Sequence, residues 1–250
     1  MTNLSPPASL FSPGIKGVLF DLDGVLTPTA KIHRQAWAEL FTAYFQDQGV
    51  TPPYTDQDYY TFIDGKPRFN GVADMLAGRG IELPFGQVDD PPGSATVTAL
   101  GNKKNVEFNR ILAEDHVTPY TGAVELLDAL ERRGIAVAVV SSSANARPVL
   151  DSAGLLDRFS VVVDAAVATA NQLPGKPLPD TFVYGASQLG LAPPACVVVE
   201  DAVSGVAAGQ AGGFGLVVGV DRGTGTAALE AAGANLVVSE LTELLPPVVT

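Results

Sequence analysis

Six short runs of apolar, largely β-branched residues constrain this chain more than any other feature. They are 17–20 (GVLF), 135–140 (IAVAVV), 160–163 (SVVV), 196–199 (CVVV), 215–220 (GLVVGV) and 235–238 (NLVV). A strand with one wet face alternates apolar and polar residues. An unbroken apolar run fits a strand covered on both faces, as in a parallel sheet. Helix-like segments fall between the runs at 123–133, 148–153, 181–189 and 204–211, each followed by a glycine (Gly134, Gly154, Gly190, Gly212) that can end it. The alternation predicts an α/β fold with a doubly wound, Rossmann-like parallel sheet.

The stretch after the first run reads differently. Helical segments at 32–46, 56–62, 72–77 and 105–113 are joined by Pro- and Gly-rich loops, with no strong strand among them. The economical organisation is a helical domain, 30–116, inserted into an α/β core made of 16–29 and 117–250.

Composition narrows the chemistry. Among 250 residues, 15 Lys+Arg face 27 Asp+Glu, a formal net charge of −12, with one Cys (Cys196) and two His (His33, His116). One Cys excludes an internal disulfide, and this set cannot build a Cys- or His-rich zinc site. A bound metal must be held by oxygen, which points to magnesium or a similar hard cation. The acidic excess argues against nucleic acid or an anionic membrane as a partner. No apolar run is long enough to span a bilayer, and residues 1–16 lack the charged and apolar regions of a secretory signal. A cytoplasmic, reducing setting is expected.

In open α/β sheets, ligands bind beyond the carboxyl ends of the strands. The first run is followed by Asp21-Leu-Asp23-Gly24, the second by Ser141-Ser142-Ser143, and the fourth by Glu200-Asp201. Lys176 stands in a Gly-Lys-Pro loop ahead of a helix. Asp21, Glu200 and Asp201 together call for a cation. With a metal and Lys176 cancelling repulsion, a carboxylate there can attack phosphorus. Asp23 reaches the same place only if Gly24 lets the chain bend, and could then exchange a proton with a hydroxyl. Ser141 and the following amides could hold phosphoryl oxygens.

These four motifs, in this order, resemble the haloacid dehalogenase superfamily of phosphotransferases over nearly the whole chain after Lys16. The resemblance implies Asp21 as nucleophile through an aspartyl-phosphate and Asp23 as general acid/base. It implies Mg²⁺ held by Asp21, the Asp23 carbonyl and Asp201, with Glu200 assisting. An insertion between the first two motifs is similar to the subgroup with a helical cap.

Further matches resemble the β-phosphoglucomutase subgroup. Thr29, Ala30, His33 and Trp37 follow the first motif as they do there, with His33 at the cap hinge and Lys104-Asn105 as a second hinge pair. The run Asp64-Gly65-Lys66-Pro67-Arg68 is similar to the cap loop whose Arg grips the non-reacting phosphate. Ser142, Ser143 and Asn145 fall in the loop that contacts sugar and distal phosphate. Pro28 and Ala144 depart from the usual Asp and Lys. The resemblance implies a small phosphorylated sugar as substrate, with either mutase or phosphatase chemistry.

Other readings fit less well. The run 223–228 (GTGTAA) superficially fits a dinucleotide fingerprint, but Asp221 and Arg222 separate it from its strand and the unit comes last. A phospho-accepting receiver domain has its motifs in a different order and no use for a helical insertion. No G-x-S-x-G supports a serine hydrolase. His116 and Cys196 read as structural, Asp164 and Asp221 as loop-shaping.

Overall fold

The structure, a computed structural model, describes residues 9–114 and 117–246. His116 and residues 1–8 of the N-terminal segment therefore lie outside the described residues.

Each apolar run forms a strand: β1 (Gly17–Phe20), β2 (Ala136–Val140), β3 (Val161–Val163), β4 (Cys196–Glu200), β5 (Leu216–Val220) and β6 (Leu236–Val238). All neighbouring pairs are parallel, in the order β3-β2-β1-β4-β5-β6. Successive side chains leave opposite faces of each strand. Val18, Phe20, Val139, Val197 and Val218 thus enter one core cluster, whereas Leu19, Ala138, Val140, Val198 and Val217 enter another. Both faces are dry, which is why the runs are unbroken.

The helices are α1 (Ala30–Asp47), α2 (Asp56–Asp58), α3 (Arg68–Gly78), α4 (Val97–Glu114), α5 (Thr121–Glu131), α6 (Ala146–Ser152), α7 (Ala165–Ala170), α8 (Asp180–Gln188), α9 (Val203–Ala211) and α10 (Thr226–Ala231). From α1 to α4 they gather a third cluster of their own, around Trp37, Phe41, Tyr59, Met75 and Leu100. The expected segment 56–62 is one α turn continued by a wider π-type turn, Tyr59–Ile63. The segment expected at 105–113 begins two turns earlier, at Val97.

β1 is central, flanked by β2 and β4, so the chain turns away from it in opposite directions on its two sides. The loops after β1, β2 and β4 therefore meet at one edge, the switch point where such sheets bind ligands. Among the described residues, no helix is long and apolar enough to cross a membrane.

Candidate active site

Asp21 directly continues β1, its amide still bonded to the Val199 carbonyl at 2.9 Å. The chain then turns sharply: Gly24 adopts φ +93°, and its amide donates to the Thr27 carbonyl at 2.7 Å. A side chain at Gly24 would collide with the Asp201 carboxylate, so glycine both permits the bend and makes room for the neighbouring acid. The bend returns Asp23 to the cavity that Asp21 faces.

Lys176 lies beneath Asp21, its side chain 1% exposed. The ammonium donates to Asp21 Oδ1 at 2.6 Å, Glu200 Oε1 at 2.5 Å and the Val140 carbonyl at 3.0 Å, which uses all three of its protons. The other Glu200 oxygen accepts from the Ala202 amide at 2.9 Å. These bonds fix three charges that would otherwise be intolerable in a dry interior. Asp21 and Glu200 hold the Lys176 ammonium well above its usual range, outweighing burial.

The remaining charge is not balanced. Burial pushes Asp21 up to about 8 despite Lys176, with Glu200 and Asp23 adding to the rise. Burial, with Glu200, Asp64 and Asp21 nearby, raises Asp201 well above the carboxylate range. The described residues give the Asp201 carboxylate no hydrogen-bond donor. This donor set, all oxygen and short of positive charge, fits a hard divalent cation. Among the described residues no three acidic, His or Cys side chains already converge as a ready cage. Lys176 stands between Asp21 and Glu200 and bonds to both.

Asp23 is held differently. Thr29 donates to its Oδ1 at 2.5 Å and exchanges a 2.7 Å bond with Thr27. His33 Nε2 lies 3.5 Å from the same oxygen, too poorly aligned for a hydrogen bond. Burial would raise Asp23, but His33, Thr29 and Lys104 outweigh it and hold the carboxyl below its ordinary value. Two neighbouring carboxyls are thus pushed in opposite directions: without a cation Asp21 tends to keep its proton, while Asp23 stays ionised and able to accept one.

From the helical side, α1 supplies His33, α3 supplies Arg68 at its first residue, and α4 supplies Lys104 and Asn105 to the cavity. Lys104 is buried between the Trp37 and Phe108 rings, 5.0 and 4.7 Å from their centroids, and contacts His33 Nδ1 at 2.6 Å. Burial, helped by Arg68, brings Lys104 down to about 7. Burial and Lys104 keep His33 below its usual value. Neither Arg68 nor Lys104 forms an ion pair with a carboxylate among the described residues, so both cations remain available to an anion in the cavity.

The remaining expected residues are distributed around these. Ser141 Oγ accepts from the Ser143 amide at 3.1 Å and lies 3.5 Å from Asp23 Oδ2. Asn145 Nδ2 donates to Asn105 Oδ1 at 2.8 Å. Ser142, Ser143 and Ala144 line the cavity, but the Ser142 hydroxyl donates to the Gly65 carbonyl at 2.9 Å. Thr29 is fully buried behind Asp23, away from the cavity wall, and its hydroxyl orients that carboxyl.

Tyr59 and Asp64 line the site with no role foreseen in the sequence. Asp64 is pushed up to about 6, chiefly by burial, and Tyr59 well above its usual range. Only the position of Asp64 beside Gly65 hinted at it; nothing in the pattern marked Tyr59.

The dinucleotide-like run is occupied by its own chain. Asp221 Oδ1 accepts from the amides of Gly223 and Gly225, both at 3.0 Å, so these donors are spent on a loop rather than offered to a pyrophosphate. Asp164 caps α7 through the Val167 amide at 2.9 Å, and Cys196 is buried.

The family of haloacid dehalogenase-like hydrolases matches residues 15–213. A β-phosphoglucomutase of Mycobacterium bovis is 45% identical over 92% of this chain and 92% of its own. A fructose-1-phosphate phosphatase of Escherichia coli is 33% identical over 80% of this chain and 94% of its own. The crystal structure of a β-phosphoglucomutase from Clostridium difficile matches with a TM-score of 0.75 at 25% identity, covering 92% of this chain and 93% of that one.

Proposed function

The chain belongs to the haloacid dehalogenase-like hydrolase family, and within it we propose a cytoplasmic, magnesium-dependent phosphotransferase acting as a β-phosphoglucomutase on a small sugar phosphate. In this reading residues 30–116 are a cap that closes over a core of 16–29 and 117–250.

Asp21 attacks the phosphorus of a sugar phosphate, forming a phosphorus–oxygen bond as the bond to the departing sugar oxygen breaks. Asp23 returns to the departing oxygen a proton that it took from the attacking hydroxyl in the preceding transfer. In the return step a different sugar hydroxyl attacks, Asp23 accepts its proton, and Asp21 is released. Lys176 holds Asp21 in place throughout, and Ser141, its hydroxyl oriented by the Ser143 amide, positions the phosphoryl oxygens together with the Ser142 amide. Asp21, the Asp23 carbonyl and Asp201, with Glu200, would hold Mg²⁺, which when bound neutralises the clustered carboxylates and draws charge from the phosphoryl group.

The observation that supports the mutase reading is the pair of cations without a carboxylate partner among the described residues, Arg68 and Lys104, lining the same cavity as Asp21. A substrate with a single phosphate to be cleaved needs no such grip at its far end, whereas a bisphosphorylated sugar does. The phosphatase alternative rests on Ala144, which leaves the distal-phosphate loop without the usual lysine, and on the similarity to the E. coli phosphatase. Incubation with Mg²⁺, β-glucose 1-phosphate and a trace of the 1,6-bisphosphate distinguishes them. Glucose 6-phosphate should accumulate; release of inorganic phosphate without isomerisation would make the protein a phosphatase.

A further inference from the structure

The cap loop 64–67 touches three of the four core loops that carry the catalytic candidates, those of Ser141, Lys176 and Asp201. Ser142, next to Ser141, donates its hydroxyl to the Gly65 carbonyl at 2.9 Å. Ser204, three residues beyond Asp201, donates its hydroxyl to the Asp64 carbonyl at 3.0 Å. Gly175, next to Lys176, packs so tightly on Pro67 that a side chain there would overlap the proline ring. Gly65 sits at φ +70°, and a side chain on it would fall on Ser204 Oγ and come within 2.8 Å of Ala202 Cβ. The next residue after this loop is Arg68, the first of α3.

Both acceptors are backbone carbonyls and both donors are core side chains. The contact therefore reads the position of the loop, whatever side chains it carries. It also forms only when the helical unit is seated on the core.

We propose that Ser142 and Ser204 are positioning residues that latch the cap loop shut, place Arg68 over the cavity, and so set how phospho-Asp21 divides between a sugar hydroxyl and water. This rests on the phosphotransferase reading above. With the latch broken, the closed state loses two hydrogen bonds that the open state replaces with water, and solvent reaches the acyl phosphate more often.

The test compares Ser142→Ala, Ser204→Ala and their combination with the unsubstituted protein, and uses Ser142→Thr, which keeps the hydroxyl, as the conservative control. Gly65→Ala attacks the same contact from the cap side. The phosphoenzyme, formed with Mg²⁺ and acetyl phosphate, should decay about threefold to tenfold faster for each hydroxyl removed. Phosphate release should gain on isomerisation by a similar factor, and Ser142→Thr should restore both. Spin labels on Phe85→Cys and Asp151→Cys, with native Cys196 buried, should report a longer and broader cap-to-core distance in the alanine variants. Unchanged distances together with unchanged decay would overturn the latch. If the unsubstituted protein releases phosphate and never isomerises, the mutase reading falls, while decay rates and distances still decide for or against the latch.

Discussion

Lys104 Nζ lies 2.6 Å from His33 Nδ1, and the opposite ring nitrogen of His33 faces Asp23 Oδ1 at 3.5 Å. An ammonium donating to Nδ1 makes that nitrogen the acceptor and leaves the ring proton on Nε2, toward the carboxylate. Two helices of the inserted unit thereby reach the proposed acid/base of the core through a single ring.

That contact predicts a pH dependence. Burial brings Lys104 down to about 7, so its charge, present at acid pH, is lost as pH rises through neutrality. The grip on an anionic substrate should weaken accordingly. In kcat/KM, which reports the free enzyme, an alkaline limb near pH 7 should appear and should vanish in Lys104→Met.

The raised carboxyls give a linkage between cation and stability. Asp21 titrates at about 8 rather than in the ordinary carboxylate range. Between those values the folded state binds more protons than the unfolded chain, so in the absence of a cation stability falls as pH rises through that window. Asp201 acts in the same direction. The increase in Tm produced by saturating Mg²⁺ should therefore be larger at pH 8 than at pH 5.5.

Lys176→Met leaves Asp21 and Glu200 buried without their counter-ion. Breaking a buried ion group by removing one partner costs about 3–5 kcal/mol. Urea unfolding without metal should show a loss of that order, with Glu200→Gln in the same background recovering part of it.

Thr29→Val removes the 2.5 Å bond that helps hold Asp23 low. The acid limb of the pH–rate profile should move to higher pH, with only a small change in KM. Asp23→Ala removes the proposed proton shuttle itself and should lower kcat by about 10²–10⁴-fold.

What the sequence revealed and what it concealed have physical reasons. The strands were legible because both faces of the sheet are dry, and Val198 or Val218 has no polar neighbour along the run to confuse the period. Three of the four core motifs were legible because each follows a strand end, where topology alone brings them together; Lys176 instead stands in the Gly-Lys-Pro loop ahead of α8. The start of α4 was not: Thr98, Gly101 and Asn102 are weak helix formers, and burial of Val97 and Leu100 in the helical cluster supplies what propensity lacks. Arg68 and Lys104 were visible only by resemblance, since nothing local shows that a lysine will be buried between two aromatic rings. The Ser204 hydroxyl bond joins residues 140 positions apart, a distance no local pattern spans.

The central claim is that Asp21 carries the phosphoryl group. Acid-quenched protein, after exposure to Mg²⁺ and the 1,6-bisphosphate, should yield a phosphorylated peptide containing Asp21 by mass spectrometry. Hydroxylamine should strip the phosphate, and the Asp21→Asn protein should show neither label nor turnover. A phosphate found on another residue, or substantial turnover in Asp21→Asn, would contradict the account.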